Sequence, residues 1–335
     1  MIAAVVAVVV AAGVLIIVRG DGSSSRPSPA PGEVVQVTDE TELGASIEDF
    51  TVGPDETIYA VLKDGALVSL STGGQVRKLL PSDSDGDAEF TSIALGPEGE
   101  LYLADRSSRV SVRSSDGRVR RLGSYAPAPG AAVTDPGLDE VVQMTVDPGG
   151  GALYLSDGHK VDRFEDGRLT TITGARGEER TLPGVSPKEA VAAGQPVPAG
   201  ELRFDTDGGV HGLAYDSEMG DLYVGGSTEL MRIDRSGTAH FLSFPEIRCT
   251  GEVRFDGRRK KLYFSVVNAA FNQAVARLDR KGDFLVLSGS DDLVDRFTFG
   301  SKGDLYAIYG FGSYMEASGD VLSELRTDLK GRAGQ

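Results

Sequence analysis

Short apolar runs separated by Gly, Pro and Asp recur along the chain, and residues 90–122 show this pattern most plainly. The apolar runs of this stretch are residues 90–95, 101–104, 110–112 and 119–122. The residues between them form turns readily, because Gly permits positive φ and Pro holds φ negative. Four short strands joined by tight turns predict one antiparallel sheet.

This unit recurs along the chain. Its mark is a polar turn followed by Leu or Ile and then Tyr, and it occurs at Ile58-Tyr59, Leu101-Tyr102, Leu153-Tyr154, Leu222-Tyr223, Leu262-Tyr263 and Leu305-Tyr306. Successive Tyr residues lie about 40 to 69 residues apart, at or above the repeat length of propeller blades. The pattern therefore predicts an all-β fold, a six-bladed β-propeller.

The sixth predicted blade has only three strands, at residues 294–299, 304–308 and 321–325. Another apolar run, residues 34–38, precedes the first blade and has no partner within it. We expect this run to complete the sixth blade, since ring closure leaves no sheet edge open.

Two insertions interrupt the repeat, at residues 125–140 and 173–209. The first is rich in Pro, Ala and Gly and predicts a long loop. In the second, Ser186, Pro187 and Glu189 form the pattern of a capping box with Pro at the first helical position. A short helix ending before Gly194 is expected there.

Residues 2–18 are uncharged and apolar and would span roughly 26 Å as a helix. A signal-anchor helix is favoured over a cleaved signal peptide, for which no A-x-A site follows, and over a buried helix. Residues 20–32 are rich in Ser, Pro and Gly, which is typical of a tether. The predicted organisation is an anchor at 1–19, a tether at 20–32 and a propeller at 33–335. We expect a single-pass protein of the cell membrane with the propeller on the extracytoplasmic side.

The formal charge of −16 argues against a nucleic-acid partner, because phosphate binding needs a basic surface. A single cysteine, Cys249, excludes an internal disulfide framework and is expected to be a buried, inert thiol.

Motifs of familiar chemistry are absent. The chain has no G-x-S-x-G, C-x-x-C, H-E-x-x-H or phosphate-loop pattern, and only three His residues. Residues 83–87, DSDGD, resemble a calcium loop with misplaced Gly and no Glu at the twelfth position. We therefore predict no catalytic residues, no metal ligands and no cofactor, with a divalent cation such as calcium kept as an alternative.

The first strand of each predicted blade should line the central channel. Aligning these strands places Asp49, Ser92, Gln143, Gly212, Glu252 and Arg296 in one column, and Glu48, Thr91, Val142, His211, Gly251 and Asp295 in the column before it. The candidate ligand-binding residues at the channel mouth are Glu48, Asp49, Gln143, His211, Glu252, Asp295 and Arg296. Two interpretations stay open, because these side chains could solvate a water-filled channel or form a ligand or cation pocket.

His211 near Glu252 or Asp295 could form an acid–base pair, with the pKa of the imidazole raised by the carboxylates. Cys249 precedes the inner strand of the fifth blade and could approach His211.

Residues 96–110, GPEGELYLADRSSRV, and 147–161, DPGGGALYLSDGHKV, resemble the repeats of bacterial NHL-repeat propellers, a six-bladed TolB-like type. His159 occupies the His position of that family. The resemblance covers about residues 47–330 and implies the fold, whereas the reaction stays open because one fold serves many functions.

Three hypotheses of function follow. The first is a membrane-tethered binding or scaffold module whose loop face takes protein or glycan partners. The second is a hydrolase similar to gluconolactonase-like propellers, which hold a divalent cation with carboxylates and an Asn, although no Asn lies in the aligned columns. The third is a ligand-sensing propeller that signals through a partner.

Overall fold

The computed structural model describes residues 10–11, 14–15, 34–39, 43–72, 74–81, 89–106, 109–123, 141–174, 184–204, 209–226, 229–242, 244, 247–268, 273–280, 284–286, 293–301, 303–310 and 321–325. These residues form six sheets of four or five antiparallel strands and one separate two-stranded pair.

The strands are named in chain order. The first three are β1 (Val10–Ala11), β2 (Val14–Leu15) and β3 (Val34–Asp39). Sheet one contains β4 (Ile47–Val52), β5 (Ile58–Leu62), β6 (Leu67–Leu70) and β7 (Val76–Leu80). Sheet two contains β8 (Phe90–Leu95), β9 (Leu101–Asp105), β10 (Val110–Arg113) and β11 (Val119–Gly123). Sheet three contains β12 (Gln143–Val146), β13 (Leu153–Ser156), β14 (Lys160–Glu165) and β15 (Arg168–Gly174).

The later sheets differ in their edges. Sheet four contains β16 (Val197–Pro198), β17 (Val210–Asp216), β18 (Asp221–Gly226), β19 (Leu230–Ile233) and β20 (Thr238–Leu242). Sheet five contains β21 (Ile247–Asp256), β22 (Lys261–Asn268), β23 (Gln273–Asp279) and β24 (Phe284–Val286). Sheet six contains β25 (Leu293–Phe299), β26 (Leu305–Gly310), β27 (Val321–Leu325) and, at its outer edge, β3.

The sheets are arranged as a β-propeller. The first strand of each sheet contacts the first strand of the next, and β25 of sheet six contacts β4 of sheet one. These inner strands are largely buried, whereas β7 at the outer edge of sheet one is mostly exposed. Burial falls outward because an inner strand packs on both faces against neighbouring sheets and an outer strand does not.

The hydrophobic core is divided among the interfaces between neighbouring sheets. One cluster joins Phe50 and Val68 of sheet one to Ile308 of sheet six, and another joins Ala214 of sheet four to Phe264 of sheet five. Comparable clusters fill the other four interfaces. Each sheet is therefore held by its two neighbours, in addition to its own hydrogen bonds.

The second insertion contains the short helix α1 (Pro187–Ala193), as predicted. Ser186 caps it, the side chain of Glu189 accepts from the Ser186 N–H to complete the capping box, and Gly194 ends it in the left-handed region. The sequence did not predict β16, which follows the helix and pairs with β20, so that sheet four gains a fifth strand at its outer edge. The insertion thus covers the outer edge of sheet four.

The predicted anchor and tether fall almost entirely outside the described residues, as do the loop at 125–140 and the calcium-like segment 83–87. Within the anchor segment, β1 and β2 form a short antiparallel pair, so these four residues are not helical. No helix among the described residues is long and apolar enough to cross a bilayer.

Candidate functional site at the channel mouth

The inner strands of four sheets carry a β-bulge at equivalent points. In each case the inner strand has one residue more than its partner strand, and the extra residues are Glu48, Thr91, His211 and Asp295. A bulge bends the strand and re-aims its side chains, and bulges are frequent at barrel rims next to functional sites. In sheet five the register shift is longer, between Cys249 and Val253. The channel mouth is thus a rim of irregular backbone.

Asp49 joins the inner strands of sheets one and two. Asp49 is 1% exposed. The carboxylate accepts hydrogen bonds from the Ser92 hydroxyl at 3.0 Å and from the Ile93 and Phe50 backbone N–H groups at 2.9 Å each. Such bonds compensate the loss of hydration that burial of a carboxylate requires. Asp49 therefore has a structural role as well as a place at the mouth.

Arg296 of sheet six lies between the two buried carboxylates of the site. Its Nη1 is 3.7 Å from Asp49 Oδ1 and 4.0 Å from Glu252 Oε2. Glu252 also contacts Arg254, with Nη2 at 2.8 Å from Oε1, and its backbone N–H donates to the Ser265 hydroxyl. Two guanidinium groups thus balance two carboxylates, which is the condition for burying such charges at tolerable cost.

Gly251 determines where His211 lies. A Cβ at Gly251 would stand 2.3 Å from the Cβ of His211, and the φ of Gly251 is +112°. The Gly251 carbonyl oxygen is also 2.0 Å from where a Cβ of Gly212 would stand. Glycine at both positions therefore permits the close approach of β17 and β21.

The environment of His211 lowers the pKa of its imidazole. Desolvation is the main cause and the positive charge of Arg296 adds to it, although part of the side chain is exposed. The predicted rise in the His211 pKa is therefore wrong. The carboxylate of Glu252 is instead engaged by Arg254 and Arg296.

The structure shows fewer contacts for the other predicted site residues. Gln143 is 3% exposed, and its Oε1 has no hydrogen-bond partner among the described residues. Glu48 is half-buried, and the side chain of Asp295 lies outside the described part of the structure. The structure therefore brings together Asp49, Glu252 and Arg296, with His211 within the field of Arg296.

Sequence reasoning missed three contributors to the site, Ser92, Arg254 and Gly251. Ser92 lies in the aligned column of inner-strand residues but was not among the predicted site residues. Arg254 could have been found from its spacing, because residues i and i+2 of a strand share a face and Glu252 lies two positions before it. For Gly251, φ and the neighbouring strand are tertiary facts with no sequence signal of their own.

The described residues of the channel mouth do not fit a divalent cation. Among these residues, Asp49 and Glu252 are the buried carboxylates, and the guanidinium of Arg296 lies within 4.0 Å of both. No cluster of three or more His, Cys, Asp or Glu side chains suited to a metal occurs among the described residues. Hard cations such as calcium take six to eight oxygen ligands, and the carboxylates of Asp49 and Glu252 are already engaged by guanidinium groups.

Cys249 is a buried thiol, as expected. It is 4% exposed, and desolvation raises its pKa to about 12. A thiol with so high a pKa is protonated at neutral pH and is a poor nucleophile.

Comparison with known proteins identifies the fold only. No family model and no curated protein sequence matches the chain, so the resemblance to NHL-repeat propellers gains no support. Among solved structures, a gluconolactonase from Xanthomonas campestris is similar with a TM-score of 0.56 and 17% identity, over 87% of this chain and 88% of that one.

Two further structures are similar. A putative gluconolactonase has a TM-score of 0.58 and 15% identity, covering 88% of this chain and 93% of its own. The virginiamycin B lyase of Staphylococcus aureus, in an inactive form with quinupristin, has a TM-score of 0.53 and 10% identity, covering 88% of this chain and 99% of its own. At such identities the likeness extends to the backbone and no further, and it agrees with the ring of sheets described above: the chain is an all-β propeller.

Proposed function

We propose that this protein is a binding module, and that the mouth of its channel takes a glycan. The observation that carries the proposal is the position of Arg296 between Asp49 and Glu252. Both buried carboxylates are engaged by guanidinium groups, so neither is suited to hold a catalytic cation or to act as a base. We further propose that the six sheets form a complete six-bladed ring around this mouth.

A glycan suits the mouth better than a protein does. The exposed large apolar side chains of the described residues are Val76, Val119, Leu169, Val191 and Met219, and none lies on an inner strand. Protein interfaces usually have an apolar or aromatic centre, which the described residues of this mouth do not provide. The guanidinium of Arg296, which is partly exposed, and the imidazole of the exposed His211 instead offer polar groups suited to sugar hydroxyls.

The test is glycan binding to the full chain and to Arg296→Gln, with Arg235→Gln as a control in a distant, exposed turn. A glycan array identifies a ligand and calorimetry measures its affinity. We expect Arg296→Gln to weaken binding at least about tenfold, the value of one hydrogen bond to a charged group. Arg235→Gln should bind as the unchanged chain does. Equal affinity in all three proteins, or no glycan bound, would overturn the proposal.

A lactonase-like hydrolase is the second candidate, favoured by the similarity to two proteins named as gluconolactonases. It requires that a divalent cation displace Arg296 from Glu252. Lactone hydrolysis that depends on added calcium, manganese or zinc, and that Glu252→Gln abolishes, would support it. Activity unaffected by Glu252→Gln would exclude the channel mouth as its site.

The membrane anchor at residues 2–18 and the extracytoplasmic position of the propeller stay part of the proposal. They rest on the apolar composition of that segment and on the Ser- and Pro-rich stretch after it. Membrane fractionation, followed by protease treatment of intact cells, tests both, because only an extracytoplasmic propeller is cleaved from outside.

A further inference from the structure

The outer edges of sheets one and two carry positive charge that contrasts with the rest of the chain. Their outermost strands, β7 and β11, hold Arg77, Lys78, Arg120 and Arg121, and neither strand contains an acidic residue. All four side chains are exposed, and none forms an ion pair with a described carboxylate. The chain as a whole has 34 basic and 50 acidic residues, so this concentration of cations runs against its composition.

Apolar side chains accompany these charges. Val76 is 41% exposed and Val119 is 46% exposed, and each is the first residue of its strand. The two strands thus repeat one arrangement, an exposed Val followed by two cations. We name the six residues Val76, Arg77, Lys78, Val119, Arg120 and Arg121 the basic rim.

Protection of an open strand edge does not account for the whole pattern. Exposed edge strands often carry charges that prevent pairing with another chain. Cations serve that purpose well, so the four basic side chains alone would fit edge protection. An exposed Val works against it, because an apolar β-branched residue at an edge favours pairing. The combination instead matches surfaces that bind anionic lipid, where cations meet headgroups and small apolar groups enter the interface.

The position of the N-terminal strand is consistent with a lipid-binding surface at the basic rim. β3 is the outer edge of sheet six, which is the neighbour of sheet one in the ring. The chain therefore enters the propeller on its lateral surface, beside the basic rim, and the apolar residues 2–18 lie only 15 residues before β3. The remaining surface, which carries the excess of acidic residues, is repelled by anionic headgroups, so one orientation is favoured.

We propose that the basic rim docks the propeller sideways on an anionic lipid surface. Sheets one and two are neighbours, joined by contacts of β4 and β5 with β8, so their outermost strands β7 and β11 lie on adjacent parts of the lateral surface. The docked propeller would keep its channel axis roughly parallel to the membrane, with both channel openings accessible. This inference does not depend on the glycan proposal, since it involves neither the channel mouth nor its residues.

The test is flotation of the full chain with vesicles of phosphatidylcholine alone and of phosphatidylcholine with phosphatidylglycerol. Residues 2–18 can bind both kinds of vesicle, so the measured quantity is the increase in the partition coefficient that the anionic lipid produces. We expect this increase to shrink with added salt. In Arg120→Glu/Arg121→Glu it should fall at least about tenfold, because each cation near such a surface contributes about a fivefold factor.

Lys188→Glu/Arg235→Glu is the matched control, because it makes the same change in net charge at two exposed residues outside the basic rim. The control variant should keep most of the increase in partition coefficient that the anionic lipid produces. Both variants should have the melting temperature of the unchanged protein. An equal loss of this increase in both variants would mean that only the net charge of the protein matters. No loss in Arg120→Glu/Arg121→Glu would mean that the cations of the basic rim serve only to protect the strand edges. Binding of soluble polyglutamate through Arg120 and Arg121, without any vesicle increase, would make the rim a docking surface for acidic protein. Each of these three results overturns the proposal.

Discussion

Gly251 shows how a single residue without a side chain can organise a site. Its φ of +112° is strained for any residue with a Cβ, and the space beside it is filled by the Cβ of His211. His211 in turn stands on the bulge of β17. The position of the imidazole at the mouth is therefore set by the backbone of the next sheet.

Replacing Gly251 with Ala should destabilise the protein and displace His211. We expect the free energy of unfolding to fall by about 2 to 3 kcal/mol, because strain in φ adds to a steric clash. Urea denaturation measures it. Gly257→Ala in the same sheet is the control, since nothing lies within 4 Å of its added Cβ, and it should change stability by less than about 0.5 kcal/mol. An equal change in the free energy of unfolding in both variants would mean that the close approach of β17 and β21 does not require glycine at position 251.

His211 should titrate below its ordinary pKa of 6.5. The unfolded chain then binds the proton at a higher pH than the folded chain does, so stability is lost as pH falls from about 6.5 toward the folded pKa and levels off below it. NMR titration of the imidazole measures the pKa directly. In Arg296→Met the pKa should rise, because a positive neighbour is removed. A pKa of 6.5 or higher in the unchanged protein would contradict the proposed environment.

At the scale of elements, the pairing of β3 with β27 is the feature that joins the two ends of the chain. The register places Val34 opposite Leu325 and Asp39 opposite Val321. Val37 of β3 is buried in the cluster between sheets six and one. Without β3, the hydrogen bonds of β27 and one side of that cluster would face water.

A chain that begins at residue 41 should therefore be less stable than one that begins at residue 33. We expect a loss of at least about 3 kcal/mol in the free energy of unfolding, from several backbone hydrogen bonds and one buried Val. Thermal denaturation by circular dichroism measures the difference. The chain from residue 33 is the control, because it lacks the same N-terminal region and retains β3. Equal melting temperatures would show that β3 contributes nothing to the sheet.

At the scale of the whole molecule, a second contact joins the first sheet to the last. Glu56 lies in the first turn of sheet one, and its carboxylate accepts hydrogen bonds from Tyr306 Oη at 2.9 Å and Ser301 Oγ at 2.6 Å, both of sheet six. Glu56 is 7% exposed and has a positive φ of 65°. A buried carboxylate with two hydroxyl donors is a stabilising link between the first and the last sheet.

Tyr306→Phe should weaken this ring closure by about 1.5 to 3 kcal/mol, the contribution of a hydrogen bond to a charged acceptor. Tyr102→Phe is the matched control, because Tyr102 occupies the equivalent place in sheet two and donates only within its own sheet, to Glu100 at 3.3 Å. Urea unfolding should show the larger loss for Tyr306→Phe. A larger loss for Tyr102→Phe would argue against a closing role for Glu56.

The repeating unit could be predicted from the sequence alone, because apolar alternation and turn residues act within a few positions. The strands around Leu101 and Leu153, and the helix capped by Ser186, follow from such local rules. The column that contained Asp49, Glu252 and Arg296 was also readable, since equivalent positions of a repeat fall at equivalent places in a ring.

How these residues interact could not be predicted in this way, because it depends on the packing of the sheets. Whether Glu252 meets a histidine, a cation or Arg296 depends on distances between sheets that lie far apart in the chain. The direction of the His211 pKa shift, the added edge strand β16 and the close approach at Gly251 have the same origin. Local patterns specify each sheet, whereas the chemistry of the channel mouth arises where the inner strands of different sheets meet.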